Sequence, residues 1–141
     1  MRKLLTTFVC VWFTLAVWAG DGIYEKLQQI PQISEIQKLD VKPFQEYYQF
    51  WFEQPVDHSD PAKGTFRQRV LLGHKQSDAP VIVELEGYNI WSSEEGELAN
   101  ILKGNQLTIE HRFFDQSVPE GGIPWENPVS YTHLRAHETS A

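Results

Sequence analysis

Cysteine is almost missing from this chain: Cys10 is the only one in 141 residues, and it lies in the amino-terminal segment. Past that segment there is no disulfide, no thiol nucleophile and no thiolate metal site. Basic charge is also scarce. Twelve Lys and Arg stand against nineteen Asp and Glu, for a formal net charge of −7. No run of cations forms a phosphate-binding stripe, so no nucleic-acid partner is expected. There is no internal repeat and no low-complexity segment. No serine stands in a G-x-S-x-G context, which gives a nucleophile its strained elbow. His133 and His137 have i, i+4 spacing but no Glu between them in the zincin pattern, so no metal is expected. No cofactor motif is present.

Long uncharged runs are equally rare, with one exception. Arg2 and Lys3 precede an uncharged run over residues 4–17, and Val17 and Ala19 are small enough to precede a signal-peptidase cut. Residues 1–19 read as a secretory signal peptide cleaved after Ala19, which predicts a secreted or periplasmic product. The run is short of the roughly 20 apolar residues that a retained membrane anchor needs, so no membrane partner is expected after cleavage. Cys10 lies too early in it to be a lipoprotein acceptor. At the other end, 129–139 (VSYTHLRAHET) looks like one reading frame of a transposase sequencing adapter. Residues 129–141 are therefore set aside from fold reasoning, with both of their histidines.

Between these ends the chain divides into a lead-in over 20–46 and a domain over 47–128. In the lead-in, Asp21 is placed to cap a short helix carrying Ile23, Leu27 and Ile30, with Pro31 ending it. Ile33, Ile36 and Leu39 fit either a second helical turn or an irregular strand. Residues 47–54 (YYQFWFEQ) are aromatic and β-prone. Residues 55–64 (PVDHSDPAKG) are turn chemistry throughout. Residues 65–72 (TFRQRVLL) alternate, with Phe66, Val70 and Leu72 facing one way and Arg67 and Arg69 the other. That predicts an antiparallel hairpin with its basic face toward solvent.

The second half reads differently. Residues 80–85 (PVIVEL) are β-branched and nearly continuous, as expected for a strand covered on both faces. The string Glu86-Gly87-Tyr88-Asn89 breaks it. Ser92 with Glu95 three residues later has the form of a capping box. Leu98, Ile101 and Leu102 would be the buried stripe of that helix, and Gly104 its stop. Residues 105–110 form the next strand. Strand, helix and strand with short links make a βαβ crossover, so the last two strands should be parallel. The whole is an α/β sheet that begins antiparallel and turns parallel.

Few side chains carry chemistry. Glycine lets a backbone approach a ligand closely, and a loop after a sheet strand can aim N–H groups at a developing oxyanion. Gly87 and Tyr88 are the oxyanion-hole candidates, although local sequence alone favours a plain strand-to-helix turn. Glu94 and Glu95 are possible contacts for a substrate amine, with Glu97 beside them; compensation of a helix dipole is the competing reading. Glu110, His111 and Arg112 are consecutive at a strand end and cannot all point one way, so structural pairing outweighs a catalytic cluster. His58 sits in a Pro/Asp turn as a solvated or hydrogen-bonded residue. Ser117 is the one serine in a suggestive place, and it lacks the elbow.

Three stretches in order carry a resemblance: FEQPVDHSDPAKGTFRQRV over 52–70, VIVELEGYN over 81–89 and NQLTIEHRFF over 105–114. Together they resemble the bacterial secreted tripeptidyl-aminopeptidase family of serine peptidases, α/β-hydrolase-fold enzymes related to the prolyl carboxypeptidases. The resemblance spans 47–121, with Asp115 and Gln116 where such families often carry a Gly and a different polar residue. It implies an exopeptidase that releases short peptides from the N-termini of peptide or protein substrates by Ser-Asp-His chemistry. The serine is expected after a fifth strand, so the resemblance implies no catalytic residue before Pro128 and an inactive amino-terminal fragment. An esterase or carboxypeptidase on the same fold, or a small exported binding module with the aromatic run 47–52 lining a groove, are the alternatives.

Overall fold

A computed structural model describes residues 22–124. The signal-peptide and adapter readings therefore lie outside the described residues. The elements in chain order are helix α1 (Ile23–Gln28), strands β1 (Ile33–Leu39) and β2 (Glu46–Pro55), a 3-10 turn (Pro61–Lys63), strands β3 (Thr65–His74) and β4 (Val81–Leu85), helix α2 (Glu97–Leu102) and strand β5 (Asn105–Ile109). They build one five-stranded mixed α/β sheet in the order β1-β2-β3-β5-β4.

The hairpin forms where expected. β2 and β3 pair antiparallel from Glu46 opposite His74 to Pro55 opposite Thr65. Their connection is fixed by its own carboxylates. Asp57 accepts from the Ser59 N–H and hydroxyl at 2.9 and 2.6 Å and pairs with Lys63 at 2.9 Å. The Ser59 hydroxyl first, and then Lys63, hold the Asp57 carboxyl well below the usual carboxylate range. Asp60 caps the 3-10 turn through the Ala62 N–H, and Gly64 closes it at φ +94°.

The sheet has two apolar faces. On one, Leu27 of α1 packs with Tyr48, Phe50 and Val70, joined by Ile33, Ile36, Leu72, Leu107 and Ile109. On the other, Phe44, Tyr47, Leu71 and Ile90 form a second cluster with Leu39 and Val41. The lead-in thus contributes both α1 and an edge strand to the sheet. α1 starts after Gly22, which provides no side-chain cap.

The ambiguity over Ile33, Ile36 and Leu39 resolves as a strand with a bulge. The β1–β2 register shifts between Ser34 and Gln37, and Glu35 has φ +51°. The extra residue puts Ile33 and Ile36 on the same face despite their odd spacing, while Leu39 reaches the opposite face. A three-residue apolar spacing that mimics a helix is here the signature of the bulge.

Two expectations about faces need correction. Leu71 lies on the same side of β3 as Arg67 and Arg69 and is fully buried, so that side is not a solvent face. Arg67 is exposed beside Glu35. The Arg69 side chain is only 15% exposed and donates to Gln49 at 3.0 Å. The second correction concerns β4 and α2. β4 pairs parallel with β5 as expected, but it is the edge strand, and Val81, Val83 and Leu85 are 59, 54 and 50% exposed. β5 lies between β3 and β4, so any further parallel neighbour has room beside β4 and none beside Leu107 and Ile109. In α2 only Ala99 is buried, and Leu98, Ile101 and Leu102 are exposed.

The helix also starts late. Its N-cap is Gly96, without a side-chain bond. Gln106, buried on β5, accepts the Gly96 N–H at 2.8 Å and donates to the Glu94 carbonyl at 3.2 Å. A sheet residue thus does what the Ser92–Glu95 box was expected to do. At the other end Lys103, not Gly104, is left-handed, at φ +53°. Gly104 is small for another reason: a Cβ there would meet the Pro80 carbonyl oxygen at 2.7 Å.

Candidate functional site

In a sheet with parallel strands, ligands bind beyond the carboxyl ends of those strands. Here that region is the chain after Leu85 of β4 and after Ile109 of β5. The loop leaving β4 is held to β5 at alternate residues. The Glu86 N–H donates to the Ile109 carbonyl at 3.0 Å, and the Tyr88 carbonyl accepts from the His111 N–H at 2.9 Å. The Ile90 N–H donates to the Glu110 carboxylate at 3.3 Å. Gly87 and Tyr88 donate no backbone hydrogen bond among the described residues. A Cβ built on Gly87 would meet nothing within 4 Å, so its surroundings are open. Tyr88 is 65% exposed. Its ring meets Phe114 edge-on at 5.2 Å, and Phe114 meets His111 likewise at 4.8 Å.

Glu110, His111 and Arg112 diverge, as geometry at a strand end requires. Glu110 is fully buried. One carboxylate oxygen accepts from the Ser117 hydroxyl at 2.6 Å, and the other lies 3.7 Å from the Arg69 guanidinium. Ser117, also fully buried, accepts in turn from the Arg69 N–H at 2.9 Å. The His111 ring contacts the Arg112 carbonyl at 2.7 Å. Arg112 turns away, donates to the Pro55 and Val56 carbonyls at 2.9 and 2.6 Å, and lies over the rings of Phe66 and Phe113. The three charges therefore serve three different neighbours. The turn that carries Ser117 is held by left-handed backbone at Phe113 and Asp115, φ +65° and +43°. That conformation is the one in which glycine is most at ease.

The structure does not bring the two groups of candidates together. Gly87 and Tyr88 lie beyond the C-terminal end of β4. Glu95 pairs with Lys75, which follows β3 and whose own N–H donates to Asn105 at the start of β5. The Glu95 side chain is 13% exposed, so its charge is already engaged. Glu94 is exposed. His58 lies against the Gln54 side-chain oxygen at 3.2 Å, as a hydrogen-bond partner in its turn.

The Glu110–Ser117–Arg69 network was hidden from sequence by the assignment of Arg69 to a solvent face. Leu71 two residues later was the available signal, since alternation puts both on one side. Among the described residues, no three His, Cys, Asp or Glu side chains converge to hold a metal. No described helix is long and apolar enough to cross a membrane.

Comparison with known proteins converges on the same stretch of chain. The family model described as PS-10 peptidase S37 matches residues 18–129. A prolyl tri/tetrapeptidyl aminopeptidase from Streptomyces mobaraensis is 38% identical over 134 residues, which cover 85% of this chain and 28% of the relative. The chain thus spans under a third of the length of that curated relative. A match over most of the chain, through the strands and loops just described, makes this protein a member of the PS-10 peptidase S37 family.

Proposed function

We propose that the chain is the amino-terminal part of an exported serine exopeptidase that releases tripeptides from the free N-termini of peptides and proteins. The observation that carries this reading is the family match together with a relative named for tri- and tetrapeptidyl aminopeptidase activity. The sheet supports its finer version, an α/β-hydrolase fold. An antiparallel hairpin leads into a parallel crossover, and the free edge of β4 leaves a place for further strands. In such a fold one oxyanion donor comes from the loop between a sheet strand and the following helix. Gly87 and Tyr88 occupy that kind of loop, and their N–H groups have no internal partner among the described residues.

The chemistry would be acyl transfer. A serine attacks the scissile carbonyl, a histidine takes its proton and returns it to the leaving amine, and water then releases the peptide. The loop's part is to hold the negative oxygen of the tetrahedral intermediate. Neither the serine nor its partners can be assigned to a residue here, because no serine of this sequence lies in G-x-S-x-G. Of the two amine-contact candidates, Glu94 keeps an exposed carboxylate, whereas Glu95 is taken up by Lys75.

The test compares this chain with a longer product of the same gene that includes a G-x-S-x-G elbow. The longer protein should release p-nitroaniline from a tripeptidyl substrate, lose that activity when the substrate's N-terminus is acetylated, and be inactivated by a serine-directed phosphonate. The 141-residue chain should show no turnover. Equal turnover of acetylated substrate, or activity from this chain alone, would overturn the reading.

A further inference from the structure

We infer that Glu110 is a positioning residue for the loop after β4, a role that rests on the oxyanion reading of Gly87 and Tyr88. A fully buried carboxylate is costly unless its charge and lone pairs are satisfied, and an apolar side chain would serve packing at least as well. Glu110 is completely buried, so its partners show what it does there.

Those partners lie on three separate pieces of chain. The Ile90 N–H reaches one carboxylate oxygen at 3.3 Å, and the Ser117 hydroxyl reaches the other at 2.6 Å. The Arg69 guanidinium on β3 lies at 3.7 Å. The backbone of Glu110 is committed elsewhere. Its N–H donates to the Arg69 carbonyl at 3.1 Å, and its carbonyl accepts from Gln68 at 2.6 Å.

This explains why a side chain is needed. The loop is pinned by backbone bonds at Glu86 to Ile109 and at Tyr88 to His111. The next anchor, at Ile90, falls where the chain after β5 has entered a turn, with the His111 carbonyl accepting from the Phe114 N–H at 3.2 Å. The Glu110 carboxylate takes over as acceptor for that third anchor. Three anchors at residues 86, 88 and 90 leave the N–H groups of Gly87 and Tyr88, with that of Asn89, without an internal partner among the described residues. Ile90 is itself 6% exposed in the cluster with Leu71 and Tyr47, so the loop's exit is held by both its backbone and its side chain. Ser117 gives the carboxylate its orientation and accepts from the Arg69 N–H, which ties the turn over residues 113–117 to the same brace.

The test is amide hydrogen exchange, read by NMR on the full 141-residue chain. In Glu110→Ala the Ile90 amide should exchange about tenfold faster, the size of one lost hydrogen bond, while Leu71 and Thr108 amides are unchanged. Glu110→Gln keeps an acceptor oxygen and should restore Ile90 protection. Ser117→Ala leaves the carboxylate in place and should speed exchange at Ile90 and at Arg69, whose N–H loses its acceptor, with Leu71 and Thr108 unchanged; it serves if the alanine variant at 110 does not fold. Unchanged Ile90 exchange in the variants, or an equal rise at Leu71, would overturn the inference. Because exchange does not depend on turnover, this can fail while the peptidase reading stands, and the reverse.

Discussion

The two halves of the sheet bury the same kinds of residue to very different extents. In the antiparallel half, Tyr47, Tyr48 and Leu71 are at most 2% exposed, with α1 over one face and Phe44 and Ile90 over the other. In the parallel half, Val81, Val83 and Leu85 of β4 and the apolar stripe of α2 stand at 50–65% exposure. Both halves are written in the same alphabet of β-branched and aliphatic residues. The difference is cover, and the sequence of the second half is composed for a cover that the described residues do not supply.

The largest expected effect tests that contrast directly. Leu71→Ala should cost about 2–5 kcal/mol in urea unfolding, as a fully buried leucine truncated to a cavity does. Val83→Ala, in a strand of the same sheet, should cost no more than about 0.5 kcal/mol. Comparable losses would mean that β4 is covered after all. In a longer protein that covers it, the Val83 value should rise toward the Leu71 value.

The next effect is a pH dependence confined to the covered half. Burial pushes the Tyr47 phenol up to about 12 from its ordinary 10, partly offset by a hydrogen bond with Ser93. The folded state therefore keeps this proton where the unfolded chain has lost it. The stability this contributes is complete below pH 10 and falls as pH rises from 10 to about 12. Tyr48 is raised to about 12 as well, first by burial and then by its bond to Glu46. Tyr47→Phe should flatten the alkaline limb of a stability–pH curve without abolishing it. An unchanged limb would argue that the phenol is hydrated.

The smallest effect sharpens the comparison from the other side, because the parallel half is tight in one place. Gly104→Ala should cost about 1–3 kcal/mol, since its Cβ has to displace the Ile82 side chain and the Pro80 carbonyl. Gly87→Ala, facing open space, should lie within about 0.5 kcal/mol of the parent. Thermal melts of the two variants would check this, and equal shifts would mean that the crossover is loose throughout.

Much of the architecture was legible in the sequence. The hairpin followed from alternation and turn residues, and the parallel crossover from strand–helix–strand spacing, because both are local patterns. What failed was everything that depends on a distant neighbour. The capping box at Ser92 and Glu95 lost to Gln106, a side chain reached only when β5 closes on the loop. Ile33, Ile36 and Leu39 fitted a helical turn and an irregular strand equally, and the choice between them was made by a bulge whose register is set by β2. Burial of α2 was inferred from its own amphipathic stripe, which says what the helix could cover but not what lies opposite. At the candidate site, the break at Gly87 and Tyr88 was visible as a glycine after a strand. The brace beneath it joins positions 69, 110 and 117, and no short window contains all three.

The bulge in β1 has a further consequence. The outer border of β1 is bent, and it carries Glu35, paired with Arg67, and Lys38, paired with Glu46. Kinks and charges of this kind discourage another chain from zipping on. The border of β4 runs without a bulge, and its single charge, Glu84, is engaged by Gln106 of the neighbouring strand. The sheet therefore has a closed side and a growing side, and any strand recruited to it, from the same polypeptide or a stray one, has only one direction in which to arrive.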